Sequence, residues 1–168
     1  FFKVLSGGGS VDAPSPPEDY LFIEAEWGVT ESPWFVIQDT EIDASRDKYV
    51  ETLQHKDDEE GYVEYRFFVP KDTVYYFWMR TMANYGNAQY VMRVELVEDT
   101  DTDIFYWSLL DGTAGSDQWR WGSVANYFEG NRRYYKYLER GQYTLRLWNA
   151  HPNVKVDKIL VTAQGNPN

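Results

Sequence analysis

Glu24 and Glu26 stand two residues apart in Ile23-Glu24-Ala25-Glu26, and Asp157 sits in Val156-Asp157-Lys158-Ile159 near the other end of the 168-residue chain. On a strand, residues two apart leave the same face, so both glutamates are expected to project together from among apolar neighbours. Two like charges so placed repel, and taking them out of water is costly unless a cation or a hydrogen-bond donor neutralises them. A cage of Glu24, Glu26, Asp157 and backbone carbonyls is what calcium accepts, with six to eight oxygens at about 2.3–2.6 Å. The plainer reading is a pair of solvated glutamates on an edge strand.

Other polar runs carry less. Asp99, Asp101 and Asp103 resemble the opening of a calcium loop, but the glycine and distal glutamate of an EF-hand are missing, and a solvated hairpin tip is expected there. His55-Lys56-Asp57-Asp58-Glu59-Glu60 reads as a charged turn, and two histidines without a cysteine do not build a zinc site. Glycoside hydrolysis needs two carboxylates about 5–10 Å apart across a cleft, whereas the acids here fall in turns or in the calcium cage. No nucleophile elbow, phosphate loop or Ser-His-Asp set is visible, so a non-catalytic protein is expected.

The net charge of −11 repels phosphate backbones, and only Arg132-Arg133 interrupts it locally, which argues against a nucleic-acid partner. Such a surface favours cations and tolerates neutral ligands such as sugars. With no cysteine, stability must come from the core or from a metal. No apolar run approaches the roughly 18–20 residues of a membrane span, and residues 1–5 are too short for a signal-peptide core, so the chain reads as mature and soluble.

Elements that could position these residues are all strands. Aromatics make up 18% of the sequence and lie in short segments punctuated by Gly, Asp, Asn and Pro. Strand patterns fall at residues 20–27, 34–38, 49–54, 62–69, 74–81, 89–97, 104–109, 143–148 and 154–162. Val63, Tyr65, Phe67 and Val69 share one face, while in 154–162 the apolar side changes midway. Nine or ten antiparallel strands make an all-β sandwich, with a closed barrel as the alternative. Residues 20–163 form that domain and 164–168 a short tail. Residues 1–19 form an extended N-terminal tail, in which an apolar pentad precedes a Gly/Ser/Pro linker.

The order of Ile23-Glu24-Ala25-Glu26, residues 45–50, Gly61-Tyr62-Val63-Glu64-Tyr65-Arg66-Phe67, Tyr76-Phe77-Trp78-Met79-Arg80, Trp119-Arg120-Trp121-Gly122, Arg140-Gly141-Gln142-Tyr143 and Val156-Asp157-Lys158-Ile159 resembles carbohydrate-binding module families 6 and 35. The resemblance covers residues 20–163. It implies a β-jelly-roll, an extracellular setting and a structural calcium held at Glu24, Glu26 and Asp157, with a backbone carbonyl near Arg46. The sequence departs from the family where a Gly-rich stretch gives way to Arg46-Asp47-Lys48.

In similar modules sugars bind across loops at one end of the sandwich, on aromatic platforms and a polar residue before the last strand. The candidates are Tyr85 with Asn87, Trp119, Trp121, Asn149 and Asn153. Sugar C–H faces stack on Trp or Tyr, and Asn amides read hydroxyls, which suits an oligosaccharide or polysaccharide. Trp119 and Trp121 share a face by spacing, and at least one is expected in the core. A different expectation comes from Phe1, Phe2, Val4 and Leu5. As a short apolar strand on a leash, they could join the open sheet edge of a neighbouring copy and build an extracellular filament; the plainer readings are that they pack on their own domain or are the remnant of a linker from a larger protein.

Overall fold

The computed structural model describes residues 20–52, 60–83, 91–98, 101–108, 116–126, 128, 130, 132–148 and 154–164. They form two antiparallel sheets packed face to face, the all-β sandwich expected from the sequence. Seven strands make the first sheet. The order β12 (Tyr135–Leu138), β6 (Thr73–Ala83), β14 (Val154–Thr162), β4 (Lys48–Thr52), β3 (Trp34–Gln38) is joined by β1 (Tyr20–Glu24) on β14 and β9 (Ser116–Ser123) on β6. The second runs β11 (Arg132–Arg133), β10 (Ala125–Asn126), β8 (Thr102–Ser108), β7 (Val91–Val97), β13 (Gly141–Trp148), β5 (Tyr62–Val69), β2 (Val29–Thr30).

Alternation decides which side chains meet. Val63, Tyr65, Phe67 and Val69 of β5 turn inward toward Tyr75, Phe77 and Met79 of β6, and the Phe67 and Phe77 rings meet edge-on at 6.5 Å. The change of face in 154–162 has a definite cause. A bulge between Val156 and Lys158 shifts the register of β14 against β6, so the apolar side resumes one residue later and Asp157 is left unpaired at the kink.

Two local expectations are corrected. The segment expected at 20–27 ends as a strand at Glu24, and Ala25–Trp27 form a 3-10 turn, so Glu26 does not project beside Glu24 from a strand face. β9 and β12 were not expected as strands at all. They lie one after the other along one edge of β6, β12 opposite residues 73–76 and β9 opposite residues 78–83.

One segment ties the sheets together. Residues 132–138 begin in the second sheet as β11 and end in the first as β12, with Tyr134 at the crossing. Its ring stacks on Phe105 at 3.8 Å and lies 5.6 Å from Phe77, touching both sheets.

Candidate functional site

The acidic residues assemble at a joint in the first sheet. β1 and β4 lie end to end along one edge of β14, β1 opposite residues 158–162 and β4 opposite 155–156. Asp157 falls between them, at the bulge, and is fully buried. The 3-10 turn after β1 and a second one before β4, Ser45–Asp47, fill the gap. The first turn is pinned from below, since the Tyr65 hydroxyl donates to the Ala25 carbonyl at 3.1 Å and a Cβ on Gly28 would collide with Val63 and Tyr65. The second is bent sharply, with Asp43, Arg46 and Asp47 all at positive φ, near 55°. Such backbone is costly for a residue other than glycine and persists where surrounding contacts impose it.

Asp157 accepts bonds on both oxygens, from Arg80 at 2.6 Å and from the Ser45 N–H at 2.6 Å. Arg80 was given no role by the sequence pattern. The signal was a lone arginine in the apolar run of β6, where alternation points it away from Phe77 and Met79. Glu24 lies 3.4 Å from the Lys158 ammonium and 4.0 Å from the Arg46 guanidinium, which also sits over the Trp27 ring. One oxygen each of Glu24 and Glu26 is buried without a hydrogen-bond partner. Burial pushes the Glu26 carboxyl above the usual range. The nearby charges of Glu24 and Asp157 add to this, against its backbone hydrogen bond and the charge of Arg46. So the structure brings Glu24, Glu26, Arg46 and Asp157 to one place.

Orphaned carboxylate oxygens are what a hard cation would satisfy, so the two glutamates suit calcium. Asp157 is instead committed to Arg80 and Ser45. Among the described residues no three acidic or histidine side chains converge as a finished metal cage.

The two tryptophans occupy a strand, β9, rather than a loop, and neither lies in the core. Trp121 pairs with Arg80 across the β6 ladder and so faces outward. It is 39% exposed and meets Phe22, 52% exposed, edge-on at 6.2 Å. Trp119 on the same face is tied down: its indole N–H donates to the Ile42 carbonyl at 2.5 Å, its ring packs against Tyr49, and Arg80 stacks over it. Trp121 is therefore the freer platform. Tyr85, Asn87, Asn149 and Asn153, like Phe1, Phe2, Val4 and Leu5, lie outside the described residues.

Asp103 is no solvated tip. It sits on β8 and accepts from Tyr134 at 2.9 Å and Lys136 at 2.7 Å, a cluster that fixes the crossing segment. Its partners lie 31 and 33 residues away, beyond the reach of local pattern.

Sheet order and inward alternation define the class by fold, an antiparallel all-β sandwich shared with solved carbohydrate-binding modules. The family 35 module of Clostridium thermocellum has this fold, with a TM-score of 0.58 at 16% identity over 86% of this chain and 98% of that one. So does the C-terminal family 6 module of a marine laminarinase from Zobellia galactanivorans, at TM-score 0.59 and 16% identity over 86% and 99%. A GH26-CBM35 beta-(1,4)-mannanase of Podospora anserina matches at TM-score 0.63 and 15% identity over 90% of this chain, which spans 29% of the mannanase. No curated protein matches the chain in sequence. Residues 28–168 match the model for the glycosyl hydrolase family 115 C-terminal domain, and the chain belongs to that family.

Proposed function

We propose that this chain is a non-catalytic, glycan-binding module of an extracellular glycoside hydrolase, braced by a structural calcium. The observation that carries the reading is that the sandwich corresponds to nearly the full length of two modules solved on their own, 98% and 99% of their chains, rather than to a catalytic body. The family name places such a domain at the C-terminal end of a hydrolase. No helix among the described residues is long and apolar enough to cross a membrane.

Trp121 supplies an outward aromatic surface on which a sugar ring can stack, with Tyr85, Asn87, Asn149 and Asn153 as the loop residues that would read its hydroxyls. Calcium would be held by Glu24 and Glu26 with the Arg46 carbonyl, beside an Asp157 already held by Arg80 and Ser45, and would supply the charge that the two buried, unpartnered oxygens want. The residues themselves already bring the strand ends together. Lys158 and Arg46 flank Glu24, and Arg80 holds Asp157, so the joint is a mixed-charge cluster that a bound cation would reinforce.

Titration of the chain with xylan, mannan and laminarin oligosaccharides, followed by tryptophan fluorescence and calorimetry, tests the reading. Binding with millimolar or tighter affinity that weakens about tenfold or more in Trp121→Ala, while the melting temperature holds, is expected. Absence of binding to a broad glycan array at millimolar ligand overturns it.

A further inference from the structure

The last strand of the first sheet on one side is β3, and among the described residues its outer edge is unpaired. Its five residues pair with β4 along one side and, among the described residues, with no strand along the other. Which groups are free follows from a single bond. The Asp39 N–H donates to the Asp47 carbonyl at 2.9 Å where this ladder runs out. Backbone groups alternate in direction along a strand, so Ile37 and Phe35 also face β4, and Trp34, Val36 and Gln38 face outward. The Trp34 N–H turns to the Glu31 carbonyl at 2.9 Å. That leaves the N–H groups of Val36 and Gln38 and the carbonyls of Trp34, Val36 and Gln38 along the edge.

Nothing in β3 protects this edge. Natural edge strands carry a charge, a proline or a bulge that discourages pairing. Trp34-Phe35-Val36-Ile37-Gln38 has none of these, and Phe35 and Val36, on opposite faces, are 43% and 45% exposed.

We propose that this edge is the seat of the chain's own N-terminal pentad, Phe1-Phe2-Lys3-Val4-Leu5, which adds to β3 as a further strand of the first sheet. Length agrees, since with Phe2 or Val4 set opposite Val36 four residues of the pentad lie against β3. Alternation agrees, since Phe2 and Val4 would continue the inner face beside Val36, and Phe1, Lys3 and Leu5 the outer face beside Phe35 and Ile37. Charge agrees as well. Glu31, Asp39 and Glu41 flank β3, and the pentad's one charge is a lysine. A second copy's β3 fits worse: antiparallel pairing centred on Val36 would set Glu31 opposite Glu41 and join two bodies of net charge −11.

Reach selects the pentad of the same chain over that of a neighbour. Tyr20 pairs with Thr162, while Val36 pairs with Val50 and Val50 with Val156. Six residues along β14 at about 3.3 Å, and two strand spacings of about 4.8 Å, put the seat roughly 22 Å from Tyr20. A Gly-, Ser- and Pro-containing leash of the length of residues 6–19 would have a root-mean-square span of roughly 20 Å. A leash matched to its span gives an effective concentration of about a millimolar, well above the micromolar at which a neighbour's pentad would compete. The filament expected from sequence would be the same contact exchanged between copies.

Hydrogen–deuterium exchange on the full chain, on a chain lacking residues 1–5 and on Val36→Pro tests this, with sedimentation alongside. The Val36 and Gln38 amides should exchange at least about tenfold more slowly in the full chain than in the truncated one. Val36→Pro removes an outward N–H and no bond to β4, so it should speed exchange at Gln38 and in residues 1–5 while β4 stays protected. Equal exchange at Val36 and Gln38 with and without the pentad overturns the proposal. Protection that rises with protein concentration together with larger species moves the seat to a neighbour's pentad and overturns the same-chain assignment. Dimers that persist in the truncated chain point to β3 pairing with itself, and overturn it too.

Discussion

Asp103 and Glu26 are both carboxylates drawn partly out of water, and the protein treats them oppositely. Burial raises the pKa of each. At Asp103 the hydrogen bonds from Lys136 and Tyr134, with the lysine charge, outweigh burial and hold the acid below its usual range. At Glu26 the neighbours include Glu24 and Asp157, whose charges add to burial, and one oxygen is left without a partner. The first region is complete as it stands, and its acid fastens one sheet to the other. The second has acceptors to spare. A satisfied buried acid reports architecture, whereas an unsatisfied one marks the place to look for a ligand.

The contrast can be broken or sharpened by experiment, most strongly at the completed cluster. Tyr134→Ala removes the ring between Phe105 and Phe77 and the donor to Asp103. It should cost about 3–4 kcal/mol, roughly 10 °C in melting temperature, with or without calcium. Asp157→Ala strands Arg80 and the Ser45 N–H at the joint and should cost about 3 kcal/mol in denaturant melts; a cost under about 1 kcal/mol would show the pair to be dispensable. Calcium at a hundredfold excess over its Kd should add about 2.7 kcal/mol to the wild type and nothing to Glu26→Gln, while in chelator that variant should equal or exceed the wild type. Identical melting of the wild type with calcium and with chelator would place both acids in the same structural category.

The smallest effect is in pH. Glu26 holds its proton more tightly folded than unfolded. Stability therefore falls as pH rises from the ordinary glutamate value through the raised folded one, and recovers on mild acidification. Asp103 behaves in reverse, its contribution being present above the ordinary aspartate value and lost as pH falls through the depressed folded one. Melting temperature against pH in the metal-free protein should show a shallow rise on acidification and then a fall. Glu26→Gln should flatten the rise, and Asp103→Asn the fall.

Strands 62–69 and 154–162 were legible to the residue because strict alternation in one and an apolar run in the other leave few alternatives. β9 was not, since Gln118-Trp119-Arg120-Trp121 alternates aromatic and polar residues as well for a platform in a loop as for a strand whose outer face is open. Glu24 and Glu26 were found by type, but their geometry was misread, because nothing in Ala25-Glu26-Trp27 distinguishes a strand end from a 3-10 turn. Asp103 needed Tyr134 and Lys136, whose approach depends on a segment changing sheets, and no local pattern encodes that.

Where β14 stands in the first sheet governs how the protein can be made. It pairs with β6 on one side and with β1 and β4 on the other, so the strand at the centre of that sheet is the last of the described strands in chain order. Strands β5, β7, β8 and β13 of the second sheet have all left the ribosome before it. During synthesis β1 and β4 must therefore wait, with apolar residues such as Ile23 and Val50 exposed, until residues 154–162 emerge to take their place between them and β6. A chain released before residues 154–162 are made would be half a sandwich with an open seam, a natural substrate for chaperones and proteases.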